Sequence, residues 1–141
     1  MELSATPSAP TARQVPEPAT RRVLVVDDEP SVLAVTARIL RDAGYVALEA
    51  PNPREALPLL EETNPRIDLV ITDVVMPETD GRTLGRLIAE RHSGLPVVYM
   101  SAYPVNDLFH RGSPGAGLPF LSKPFSAEVL VALVQQLLAA Q

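Results

Sequence analysis

The sequence predicts an α/β fold, a parallel sheet with helices on both faces. Three observations lead there. Short apolar runs alternate along the chain with stretches of helical periodicity. The first of those runs, Val23 to Val26, is wholly apolar, as in a strand buried on both faces. Four runs end on polar residues, at the edge where ligands bind in such sheets.

Arg22 precedes the first strand, Val23 to Val26. Pro30 and Ser31 open a helix through Arg41 with an apolar stripe of Val32, Val35, Ile39 and Leu40, and Gly44 ends it. Tyr45 to Ala50 is the second strand. Pro53 starts a helix that Pro58 should kink or shorten. Ile67 to Thr72 is the third strand, and Asp80-Gly81 begins a helix carrying Leu84, Leu87 and Ile88. Leu95 to Met100 is the fourth strand. Pro104 to Arg111 is a weak fourth helix, broken by Ser113 to Gly117. Leu118 to Ser122 is the fifth strand. Ser126 caps a last helix whose stripe is Val129, Leu130, Leu133, Val134, Leu137 and Leu138. Helical crossovers between parallel strands are right-handed.

A chain of 141 residues suggests one domain. Residues 1–20, rich in Pro and Ala, have too little apolar surface to offset ordering entropy and are expected to be a disordered leader. The folded domain is then 21–141. No apolar stretch is long enough to cross a membrane, and no signal-peptide core opens the chain. With no cysteine, disulfides and thiolate metal sites are excluded, and a cytoplasmic location is expected. A net charge of -5 argues against direct nucleic-acid binding. His92 and His110 have no metal-ligand spacing and are expected at the surface.

The polar strand ends carry the chemistry. Asp27-Asp28 follow the first strand, Asp73 the third, Ser101 the fourth, and Lys123, the only lysine, the fifth. Like charges ~4 Å apart repel by about 4 kcal/mol at an effective dielectric near 20, and a hard cation relieves that repulsion. Mg2+ suits a few carboxylates that leave room for water and phosphate oxygens. Asp73 can act as a nucleophile towards phosphorus, with Lys123 and Ser101 meeting phosphoryl oxygens.

Val25-Val26-Asp27-Asp28-Glu29-Pro30, Thr72-Asp73-Val74-Val75-Met76-Pro77, Asp80-Gly81, Met100-Ser101-Ala102 and Lys123-Pro124-Phe125 together resemble the receiver domain of two-component response regulators. The likeness extends to receivers of hybrid sensor kinases. It implies a CheY-like, flavodoxin-like doubly wound five-stranded sheet of strand order 2-1-3-4-5. Asp73 would be the phosphoacceptor. Asp28 and Asp73 would bind Mg2+ directly, Asp27 mostly through water, and the Val75 carbonyl would add a ligand. Ser101 would be the switch hydroxyl and Phe120 the aromatic that turns inward on activation. The donor would be a sensor histidine kinase or a histidine phosphotransfer protein. A downstream partner protein would read the face of the fourth helix, fifth strand and fifth helix. The resemblance is to a stand-alone receiver without an output domain, catalysing only its own phosphorylation and dephosphorylation. Val75 and Tyr103 sit where relatives adjust attack by water, and a bulky pair there is expected to prolong the phosphorylated state.

Three other classes fit less well. A phosphatase of the haloacid-dehalogenase type needs a second Asp where Val75 stands, and the acidic pair last rather than first. A receiver-like interaction module that is no longer phosphorylated would not need the complete set of Asp27, Asp28, Asp73, Ser101 and Lys123. A dinucleotide-binding domain would need a glycine-rich turn where Asp27-Asp28-Glu29-Pro30 stands.

Overall fold

Each short apolar run forms a strand, because only a sheet covered on both faces removes such a run from water on every side. The computed structural model describes residues 21–62, 66–74, 81–102 and 119–139. The strands are β1 (Arg22–Val26), β2 (Val46–Ala50), β3 (Leu69–Asp73), β4 (Val97–Ser101) and β5 (Phe120–Ser122). The helices are α1 (Pro30–Asp42), α2 (Pro53–Glu61), α3 (Gly81–Arg91) and α4 (Ala127–Ala139). The last is the fifth helix of the sequence reading, since the expected helix at Pro104 to Arg111 lies outside the described residues. All strand pairs are parallel, in the order β2-β1-β3-β4-β5 that the family resemblance implied.

Strand ends differ from expectation by one or two residues, and two of the differences matter. β3 starts at Leu69 instead of Ile67 and includes Asp73. Its entry is held by Asp68, whose Oδ2 accepts from the Arg22 amide at 2.8 Å while its own amide donates to the Arg22 carbonyl at 2.8 Å. β4 starts at Val97 instead of Leu95 and includes Ser101. Asp73 and Ser101 are therefore strand residues, paired with Met100 and Ser122.

The sheet separates two apolar layers. Val25, Ile71 and Met100 lie on one face under α1 and α4. Leu24, Val26 and Val70 lie on the other with α2 and α3. This corrects two apolar stripes. In α1 the buried set is Leu33, Thr36, Ala37 and Leu40, and Val35 is 57% exposed. In α4 Leu130, Val134 and Leu138 are buried, and Val129 is 54% exposed. Consecutive apolar residues let the face be drawn several ways, and contact with the sheet selects one.

Terminal signals behave as their chemistry predicts. α1 ends in a Schellman motif, with Gly44 at φ 100°, its amide donating to the Arg41 carbonyl and the Tyr45 amide to the Leu40 carbonyl, both at 3.0 Å. The Asn52 side chain caps α2 by accepting from the Glu55 amide at 2.9 Å. Pro58 leaves α2 continuous but short, at nine residues. The Ser126 hydroxyl accepts from the Val129 amide at 3.1 Å.

Candidate functional site

Three adjacent parallel strands, β1, β3 and β4, stop together, and β5 stops beside them. Val26 is in register with Thr72, Asp73 with Met100, and Ser101 with Ser122. The next residues after β1 and β5 are Asp27 and Lys123. Backbone bonds fix the rim: the Asp27 amide donates to the Ala50 carbonyl at 3.2 Å, Val74 to Met100 at 3.1 Å and Lys123 to Ser101 at 2.8 Å. The polar side chains of four strands thus meet on one edge because the strands share one register.

Asp27, Asp28 and Asp73 come together, each offering a ligand atom within 4.8 Å of the others. Asp27 and Asp73 are buried and Asp28 is exposed. Asp27 is not the cap of α1, whose first turn has no side-chain cap. Its Oδ1 accepts from the Glu29 amide at 2.9 Å and its Oδ2 from Lys123 Nζ at 2.8 Å. Lys123 Nζ also stands 3.5 Å from Asp73 Oδ1. One ammonium is shared by two buried carboxylates, and the third is open to solvent.

The charge balance shows in the protonation behaviour. Burial pushes the Asp73 carboxyl up to about 6, against the pull of Lys123, and the Asp27 and Asp28 charges push the same way. The Lys123 ammonium loses stability through burial, yet its hydrogen bond to Asp27 and the charges of Asp73 and Asp27 outweigh that and hold its pKa above the ordinary lysine value. Three carboxylates against one ammonium leave an excess of negative charge. Among the described residues the donor set is all oxygen and one carboxylate faces water, so the pocket fits a hard divalent cation of the Mg2+ type. Of the expected site residues, Asp27, Asp28, Asp73, Ser101 and Lys123 gather here. Val75 and Tyr103 lie outside the described residues, as does His110.

Phe120 is half-buried and packs on a small cluster formed by Val74 and Tyr99. Sequence reasoning took Tyr99 only as part of an apolar strand. The signal that could have singled it out is Gly85, a glycine inside a helix, where a Cβ would overlap the Tyr99 hydroxyl. His92 corrects another expectation. Its ring is partly buried at the end of α3, with Nε2 4.0 Å from Glu61 Oε1, and Glu61 also meets Arg91 at 3.3 Å.

Comparison with known proteins agrees with the fold. The response regulator receiver domain family matches residues 23–135. The sensor kinase CckA of Brucella abortus is 40% identical over 120 residues, which are 84% of this chain and 13% of the kinase. The chain therefore spans a small part of that relative. The crystal structure of the receiver domain from the hybrid histidine kinase CckA has a TM-score of 0.69 at 39% identity, over 83% of this chain and 98% of that one. The response regulator TrrA of Thermotoga maritima, in complex with Mg2+ and BeF, has a TM-score of 0.72 at 27% identity, over 84% of this chain and 99% of that one.

Proposed function

We propose that this chain, which belongs to the response regulator receiver domain family, accepts a phosphoryl group on Asp73 and thereby switches its affinity for a partner protein. The observation that carries the reading is the pocket itself: a buried carboxylate at a strand end, two further carboxylates, and a lysine already bridging two of them.

The reaction divides among the residues as follows. An Asp73 oxygen attacks phosphorus in line with the leaving group. A new O–P bond forms, and the bond from phosphorus to the donor nitrogen breaks. Its electron pair stays with the donor imidazole, which takes up a proton. Lys123, held between Asp27 and Asp73, is within a short side-chain movement of any phosphoryl group on Asp73 and would neutralise one of its oxygens. Ser101, the last residue of β4, would offer its hydroxyl to another. Asp27, Asp28 and Asp73 would hold Mg2+, which when bound supplies positive charge to the phosphoryl oxygens and screens the carboxylates from one another.

The donor class is a sensor histidine kinase or a histidine phosphotransfer protein, and the chain acts on no other substrate, catalysing only its own gain and loss of phosphate. Phosphate on Asp73 replaces a monoanion by a bulkier dianion with three acceptor oxygens, which biases a two-state equilibrium felt at β5 and α4. These partners place the chain's work in the cytoplasm, and no described helix is long and apolar enough to cross a membrane. The test is incubation with Mg2+ and acetyl phosphate followed by intact mass. Wild type gains one phosphoryl group and Asp73→Asn gains none; labelling of both, or of neither, refutes the assignment.

A further inference from the structure

We propose that Tyr99, seated on Gly85, couples the phosphoacceptor site to α3, so that α3 is a second element whose packing changes with phosphorylation. The inference rests on the phosphoacceptor reading above.

Tyr99 spans the gap between sheet and helix. It is 3% exposed. A Cβ at Gly85 would overlap the Tyr99 hydroxyl and come within 2.8 Å of Cζ and 3.3 Å of Cε1. The tip of the ring therefore rests on the backbone of α3 with no side chain between them. Glycine in a helix interior is destabilising relative to alanine. Here the small residue makes room for the ring.

The base of the ring sits among the parts of the switch. Tyr99 lies two residues before Ser101 on the same face of β4. It is in register with Phe120 on β5. It packs with Val74, the residue after Asp73, and Phe120 packs against the same cluster. An advance of Ser101 towards a phosphoryl group, or an inward turn of Phe120, takes place against the flank of this one ring.

A buried ring in a close-packed interior cannot absorb such a movement by compression. Its neighbours must move. Gly85 has no side chain that could rotate away, so the displacement passes to the helix backbone as a small slide of α3, the shear type of motion seen between packed elements. The solvent side of α3 carries Arg86, Ala89 and Glu90, all exposed.

The experiment is hydrogen–deuterium exchange of the segment Gly81–Arg91 with and without Mg2+ and beryllofluoride, a phosphoryl mimic. Wild type is compared with Tyr99→Leu and with the double variant Gly85→Ala/Tyr99→Leu, in which a new methyl group fills part of the space left by the ring. In wild type the exchange of α3 changes about fivefold or more, the lower range of ordinary coupling between sites. Both variants lose that response while still gaining a phosphoryl group from acetyl phosphate by mass. A wild type that is phosphorylated but leaves α3 exchange unaltered overturns the coupling alone. So does a response of equal size in the variants. A wild type that takes up no phosphoryl group overturns the functional reading, and the coupling with it.

Discussion

Asp73 is held in a state less comfortable for a charge than water would offer. Burial and two neighbouring carboxylates raise its carboxyl from 3.8 to about 6 in spite of Lys123. Through that interval the folded protein keeps a proton that the unfolded chain releases. The stability from this group is complete below 3.8 and is lost as pH rises through about 6. Asp73→Asn removes the charge and keeps the shape. Thermal denaturation without divalent cations should find the variant more stable than wild type by about 1–2 kcal/mol at neutral pH. The gap should close in acid, below the ordinary carboxylate range. A different residue carries a purely structural cost. The Thr36 hydroxyl is buried in α1 without a hydrogen-bond partner among the described residues. Thr36→Val keeps the shape and removes the orphaned group, so the urea midpoint should rise by an amount worth about 1 kcal/mol.

Helix α2 shows how one element can be weak by composition and still form. Asn52 caps it, Pro53 suits its first turn, and Ala56 and Leu60 anchor it to the sheet. Pro58 interrupts it by removing one amide donor where Arg54 would supply the carbonyl. The proline is exposed, so its replacement disturbs no core. Pro58→Ala should stabilise the protein by about 1–3 kcal/mol, read from the urea midpoint at unchanged slope. A fall in stability would mean that the proline ring packs better than its exposure indicates. On the opposite face of the sheet, Arg41 ties α1 to β2 through the Ala47 carbonyl at 2.8 Å and Glu49 at 3.1 Å. That ion pair is half exposed and contributes little by itself.

Across the whole molecule, strand order decides where chemistry is possible. β1 and β3 are neighbours, while their crossovers lead to β2 on one side and β4 on the other. Chain reversal at this point opens a crevice above the carboxyl ends of β1 and β3. Asp27, Asp28 and Asp73 occupy it. Mg2+ added in excess should therefore raise the melting temperature, with about 2.7 kcal/mol of stabilisation at a hundred times the dissociation constant. Chelation should reverse the rise. Asp28→Ala should diminish it more than it alters the melting temperature of the metal-free protein, because Asp28 is exposed and bears little structure. An equal rise in wild type and variant would remove Asp28 from the ligand set.

The alternation of apolar runs with helical stretches, and the polar residues at the run ends, were sufficient to predict a parallel α/β sheet and the identity of Asp27, Asp28, Asp73, Ser101 and Lys123. Burial on both faces and a shared carboxyl edge are local consequences of the chain's own pattern, so they are written in it. Which side of each helix meets the sheet was not: Val35 and Val129 are as apolar as their neighbours, and only packing turns them to water. Tertiary structure also decided that Lys123 bridges Asp27 and Asp73, and that Tyr99 rests on Gly85. Those contacts join residues far apart in the chain, where no periodicity reaches, and they depend on strand register and close packing between layers.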